Sequence, residues 1–331
     1  VISCLRRAGV EVFERHEPVW DGQEHKFSAG VGAAARLARA ELRLRRSAGG
    51  SPFDALVVGY PGHLDLGAAR KLARRRPVVF NPLVSLADTL VGDRRRFRQG
   101  GLAARVLRSI DRRAFRAADL VVADTGAQAT LFESLGAQRV GVCFVGAEER
   151  LFRPGWSPPD DFTALFVGKL IPLHGLETIL AAARLAPDVR FRVVGSGQLE
   201  GLLEQRPANV EHVPWVEYDR LPAELHRASC ALGIFGTSAK AARVIPNKAF
   251  QALACGTPLI TADTPAAREL LRDGESALLV PPGDPEALAE ALRRVVERGP
   301  ALSAGGLAAY GEHASEEVLG ARWRDLIQSL L

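Results

Sequence analysis

The chain has 331 residues, 47% hydrophobic and 24% charged, enough to bury two ordinary cores and without the low-complexity composition of a disordered chain. Its four cysteines, Cys4, Cys143, Cys230 and Cys255, are scattered with no CxxC or Cys/His cluster, which argues against a disulfide scaffold or a zinc site and suits a reducing cytoplasm. The net charge of +5 is uneven: residues 1–150 hold 25 Lys and Arg against 16 Asp and Glu, and residues 151–331 hold 18 against 22.

Short β-branched runs alternate with amphipathic stretches along the chain, the pattern of a doubly wound α/β fold. Residues 1–9 read as the end of a helix running into a strand at 10–13. A domain of this type normally opens on strand, glycine turn and helix, so the first strand and its loop are expected to be missing; the chain contains no methionine. Further strands are expected at 55–58, 78–80, 120–123 and 140–144. Two intervening helices carry arginines at helical spacing, Arg36, Arg39, Arg43 and Arg46 in one and Arg105, Arg108, Arg112 and Arg116 in the other. Such stripes are either solvated faces or faces for anionic lipid headgroups. No aromatic residues interleave with them, so nucleic acid is not an expected partner. Residues 152–161, FRPGWSPPDD, are aperiodic and proline-rich and read as a linker. Strands follow at 163–167, 191–194, 210–213, 231–235, 259–261 and 277–280. The division is a first domain at 1–151, the linker, a second domain at 162–312, and a C-terminal helix at 313–331 that starts on Ser315 as N-cap and can pack back toward the first domain. No segment approaches the roughly 18 apolar residues of a membrane span, and no signal-peptide core opens the chain.

The segments with chemistry lie mostly in the second half. In FVGKLIPLHGLETILAAA a strand ends at Gly168 and Lys169, and His174 and Gly175 open a helix, a place for phosphate. Gly195, Ser196 and Gly197 follow the next strand, where glycines either let a ligand approach the backbone or serve a plain turn. Trp215 either flanks a nucleotide base or caps the core. Residues 235–258, FGTSAKAARVIPNKAFQALACGTP, are the most informative. The strand ends at Phe235, Gly236, Thr237 and Ser238 form a loop, and Pro246 opens a helix that stops before Gly256. With Lys240, Arg243, Asn247 and Lys248 near a helix N-terminus, the segment is suited to an anion. In the first half GYPGHLD follows strand 55–58 at its carboxyl end, where ligands bind in open sheets, so His63 and Asp65 are candidates beside capping and surface roles. Asp88, Asp93 and Arg94 are further candidates in the long segment after Pro82. No strand–GxGxxG–helix unit is present, which disfavours a dinucleotide dehydrogenase.

In this order and spacing the segments resemble the donor-binding half of the family-4 glycosyltransferases of the GT-B fold. That family's pattern is FVGRL followed by KG, a GxG turn, and E-x7-E in a stretch ending A.G.P.I. The resemblance continues through Glu269 and Leu270 to DGESALLVPPGD; FDALVVGYPG, AADLVVADT and VGAEERLFRP fit the acceptor side more loosely. It implies an α/β GT-B architecture of two Rossmann-like domains facing a cleft. It also implies retaining transfer of a sugar from a nucleotide donor to a sugar or lipid-linked acceptor, with no metal and no cofactor. The setting is cytoplasmic, with peripheral contact to an anionic membrane an open possibility.

Carried over by position, Lys169 replaces the family's diphosphate-binding Arg, and His174 stands where Lys is usual. His174 supplies charge only if protonated, or else donates a neutral hydrogen bond. At E-x7-E this chain has Arg243 and Gln251. Gln251 can still accept from one ribose hydroxyl and donate to another. Arg243 either holds a phosphate or an acidic sugar, or points to solvent and leaves the diphosphate to Lys248, whose PNK segment is similar to a subset of the family. The resemblance implies His63, Lys169 and Lys248 as the catalytic set, the other second-half positions named above as the donor side, and Asp65, Asp88 and Arg94 as the acceptor side. Two alternatives stand beside it: a nucleotide-sugar-binding scaffold without catalysis, and an epimerase of the same architecture.

Overall fold

The computed structural model describes residues 1–17, 39, 40, 43 and 52–331. Its frame is two parallel sheets. The first contains β1 (Leu56–Val58), β2 (Val78–Phe80), β3 (Leu120–Ala123) and β4 (Val140–Val142), side by side in chain order. The second contains β5 (Thr163–Val167), β6 (Arg190–Val194), β7 (Val210–Val213), β8 (Cys230–Leu232), β9 (Leu259–Ala262) and β10 (Leu278–Val280). Its spatial order is β10-β9-β8-β5-β6-β7. The inner strands β3, β8 and β9 are buried along their whole length, as parallel strands covered on both faces must be.

Helices supply that cover. On one face of the second sheet Leu176, Ile179 and Leu180 from helix Leu176–Leu185 meet Leu288 and Leu292 from helix Pro285–His313 over Phe166 and Phe191. That long helix starts where its sequence directs: Asp284 Oδ1 accepts from the Ala287 N–H at 2.8 Å, and Pro285 needs no donor. On the other face Phe250 and Leu253 of helix Asn247–Cys255 pack on Leu165, Leu259 and Leu279. The first sheet buries Phe80, Phe115, Phe132 and Val121 on one side. Its other side is covered from both chain ends. Cys4 and Leu5 of helix Ile2–Arg7 and Leu319 and Trp323 of helix Glu316–Gln328 share a core with Val79, Leu120 and Val122. Ser315 caps the latter helix, accepting from the Val318 N–H at 3.4 Å.

The strand expected at 10–13 is absent. The helix before it closes with Val10 N–H bonding Leu5 O, and Val10 and Val12 lie unpaired on the Cys4–Trp323 core. Alternation marks a half-buried segment, and lying on a core satisfies it as well as a ladder does. The strand expected at 231–235 ends at Leu232. A Cβ at Gly233 would sit 2.3 Å from Thr261 Oγ1, and the Phe235 N–H turns away to bond His174 O at 3.1 Å. The strand expected at 140–144 likewise ends at Val142.

Residues 152–161 form neither helix nor strand, but they are anchored: Phe152 is buried in the second core and Trp156 Nε1 donates to Ala228 O at 2.7 Å. Of the arginine stripes, Arg105, Arg108, Arg112 and Arg116 are exposed on helix Leu102–Ala117. Arg39 and Arg43 are helical and exposed, and Arg36 and Arg46 lie outside the described residues. Among the described residues no helix is long and apolar enough to cross a membrane.

Candidate functional site

The strand order of the second sheet reverses at β5, which has β6 on one side and β8 on the other. Loops leaving neighbouring strands at such a point part to opposite faces and open a crevice at the carboxyl ends. The loop after β5 carries Gly168, Lys169 and His174, the loop after β6 carries Gly195 to Gly197, and the loop after β8 carries Gly236, Thr237 and Ser238. These loops are fitted to one another. A Cβ at Gly195 (φ 135°) would lie 2.0 Å from Gly168 O, one at Gly197 2.8 Å from Leu170 O, and one at Gly236 2.5 Å from Leu173 O. The glycines are therefore needed for loop-on-loop packing, the plain-turn alternative for GxG. Ser196 O accepts from the Leu170 N–H; Ser238 Oγ accepts from the Ala241 N–H at 3.1 Å.

Pro246 lies one residue before helix Asn247–Cys255, whose first turn has no side-chain cap and so keeps free backbone donors. Asn247 is exposed there. Lys248 reaches from this turn beneath Gly168; a Cβ on that glycine would be 2.9 Å from Nζ. The ammonium lies 3.5 Å from the Phe166 ring centroid, and Nζ is buried without a hydrogen-bond partner. Burial holds this amine well below the usual lysine range. Lys169 is exposed on the loop above.

His174 is 8% exposed, and its Nδ1 donates to Lys169 O. Burial first, then Lys248, Arg94 and Lys240, push its pKa well below the ordinary value. It is thus neutral, with its one N–H already used and Nε2 left as an acceptor. Neither a charge nor a free donor comes from position 174. Gln251 is half-buried, shares a pocket with Lys248, Leu165, Val167 and Leu221, and lies beside the Tyr218 hydroxyl. Trp215 is 71% exposed beyond β7, its Nε1 donating to Glu217 at 3.3 Å; it caps no core.

The facing wall comes from the first sheet. Arg243 donates to Asp88 Oδ1 at 2.8 Å, so it does not point to solvent. Lys240, 6% exposed, donates to Thr89 Oγ1 at 2.9 Å. Both partners belong to the π-helical turn Asp88–Asp93. Thr125 Oγ1 donates to Arg243 O at 2.6 Å, and Glu269 accepts from the Gly126 and Ala127 N–H groups at 2.7 and 2.9 Å. A carboxylate of the second unit thereby caps helix Gly126–Ser134 of the first. Asp124, at the carboxyl end of β3, is 7% exposed. Burial, with Glu269 adding to it, raises its carboxyl to about 7 against the opposing pull of Lys240.

His63 lies elsewhere. Its Nδ1 is 2.6 Å from Pro61 O, its Nε2 is 3.4 Å from Asp111 Oδ1, and its ring meets Phe80 edge-on with 1% of the side chain exposed. The geometry places it in the first core and not on the crevice wall. Asp65 starts helix Leu66–Ala73. Sequence reasoning did not single out Asp124 or Thr89 and used Glu269 only to extend the resemblance. The carboxyl-end rule that selected His63 applies equally to Asp124, so that signal was present.

Residues 161–298 match the family described as "Glycosyl transferases group 1". This chain carries a group 1 glycosyltransferase domain. It is 32% identical over 293 residues to a D-inositol 3-phosphate glycosyltransferase of Geodermatophilus obscurus, covering 74% of this chain and 62% of that protein. The chain spans about half the length of the curated relatives it matches. Its fold is GT-B. The structure superposes on sucrose-phosphate synthase of Thermosynechococcus elongatus with a TM-score of 0.73 at 18% identity, over 90% of this chain and 78% of that one. It superposes on Anabaena HepE in complex with UDP-glucose with a TM-score of 0.70 at 19% identity, over 90% and 84%. The group 1 domain takes in both Lys248 and the loops packed around Gly168.

Proposed function

We propose that the crevice binds a nucleotide sugar and passes its sugar, with retention and without a metal, to an alcohol acceptor held mainly by the first unit. The observation that carries the reading is Lys248. A buried amine with no hydrogen-bond partner, next to free N–H groups of a helix start, is costly unless a ligand anion completes it. A diphosphate is such an anion, and Lys169 on the loop above adds a second charge. As the glycosidic bond breaks, negative charge grows on the leaving diphosphate, and fixed cations and N–H groups there lower the barrier. Gln251, one turn from Lys248, is positioned for ribose hydroxyls, and exposed Trp215 for the base. The inositol phosphate named for the Geodermatophilus relative makes a phosphorylated polyol or its lipid-linked form the leading acceptor class. Exposed Leu102 and Val106 beside the arginines of helix Leu102–Ala117 support contact with an anionic membrane.

Calorimetric titration with UDP and GDP tests the site. Lys248→Met is expected to weaken the preferred nucleotide by about 1–3 kcal/mol. If the unmodified protein binds neither, the reading fails. Sugar transfer to an added alcohol separates a transferase from a scaffold, which binds only, and from an epimerase, which turns over the donor alone.

A further inference from the structure

The unused polar groups of the crevice fall into two sets of opposite chemistry. Near Lys248 the unused groups are donors. Near the turn Asp88–Asp93 they include Asp88 Oδ2, both oxygens of Asp93 and Asp124 Oδ1, buried without hydrogen bonds, beside the donors Arg94 Nε and Arg243 Nε. Asp93 is the sharpest case. It is 2% exposed, Arg94 Nε lies 3.9 Å from its Oδ2, Lys240 and the Leu173 amide are its other neighbours, and neither oxygen makes a hydrogen bond of ordinary length. Lys240 is the common electrostatic neighbour of Asp88, Asp93 and Asp124, while its own hydrogen bond goes to Thr89. Leaving carboxylate oxygens buried and unsatisfied destabilises a fold, and a chain bears that at sites where a ligand supplies the missing groups.

The ligand must bring donors. A phosphate brings only acceptors and would meet three carboxylates. A metal ion needs converging ligands, and no group of three or more His, Cys, Asp or Glu among the described residues is arranged to hold one. Vicinal hydroxyls fit, since each O–H donates a hydrogen bond to a carboxylate and accepts one from a guanidinium N–H. We propose that Asp93 and Asp88, steadied by Lys240 and Arg243, form a hydroxyl-reading subsite for a polyol. Resting on the transferase reading above, it is the sugar-reading counterpart of the diphosphate site at Lys248. Arg243 is then a positioning residue: it turns Asp88 Oδ1 toward itself and leaves Oδ2 for the ligand. The polyol is either the sugar of the donor or the acceptor alcohol.

Asp93→Asn and Asp88→Asn in the full chain test this. Affinities for UDP and UDP-glucose, and for GDP and GDP-mannose, are measured by calorimetry, and myo-inositol is titrated onto protein saturated with the preferred nucleoside diphosphate. If the subsite reads the donor, Asp93→Asn loses at least about tenfold on the nucleotide sugar and keeps its affinity for the bare nucleotide. If it reads the acceptor, nucleotide-sugar affinity holds and myo-inositol binding falls by a similar factor. Asp88→Asn moves the same arm. The melting temperature of Asp93→Asn is expected to equal or exceed that of the unmodified protein, because the variant relieves an unsatisfied buried charge. A lower melting temperature, equal loss on bare nucleotide and nucleotide sugar, or no change in either arm overturns the subsite. Failure of the unmodified chain to bind UDP or GDP strikes instead at the transferase reading, and the melting comparison still decides on Asp93.

Discussion

Asp124 joins chemistry to stability at a single residue. Its carboxyl titrates near 7 in the folded protein because burial disfavours the charged form. The unfolded chain releases that proton near pH 4. Between about pH 4 and about pH 7 the folded state therefore holds a proton that the unfolded state has lost, and stability falls as pH rises through that window. Asp124→Asn is expected to flatten this part of the stability curve, measured as melting temperature against pH; an unchanged slope would refute the assignment. Arg243 shows a different limit of sequence reading at this scale. The sequence shows that a carboxylate is missing there, and it shows Asp88. Their pairing joins positions 155 residues apart and depends on how the two sheets face one another, which no local pattern records. His63 failed for a related reason: a polar residue after a strand looks the same whether it turns toward the crevice or into the core against Asp111.

At the scale of elements, most strands of both sheets were legible because each is a short apolar run between helices of clear amphipathic period. The ends were less so, since the Gly233 N–H still bonds Ile260 O and the chain turns away only at Phe235, whose N–H goes to His174 O, a matter of three-dimensional packing. The loops themselves give a sharp expectation. Gly195→Ala would place a methyl group 2.0 Å from Gly168 O at a φ of 135°, where backbone and not a flexible side chain must yield. Chemical denaturation should show a loss of about 2 kcal/mol or more. Nucleotide affinity should fall with it, because Gly168 lies over Lys248. A variant as stable as the parent would show that the loops are not mutually fitted as described.

At the scale of the whole molecule the two sheets are joined by polar contacts across the crevice, by the packing of Phe144 and Val145 on the core around Phe250, and by the C-terminal helix. Gly320 is pressed against Cys4 O, where a Cβ would come within 2.3 Å. Gly320→Ala should loosen helix Glu316–Gln328 from helix Ile2–Arg7 and speed cleavage near Ser315 in limited proteolysis. Equal protection would mean that Trp323 alone holds the helix. The sequence suggested that this helix could return to the first domain but not that both ends of the chain would share one core there.

That return has a mechanical consequence. The polypeptide passes between the two bodies at 152–161 and again where helix Pro285–His313 gives way to Ser315, so they are connected by two separate strands of chain. A single tether lets one body swivel freely about a point. Two tethers restrict it to swinging about the line that joins them, as a door does on two pins. The reach of Asp88 toward Arg243 and of Glu269 toward Gly126 is then set along one arc of motion, and closing one of these contacts carries the other toward closure.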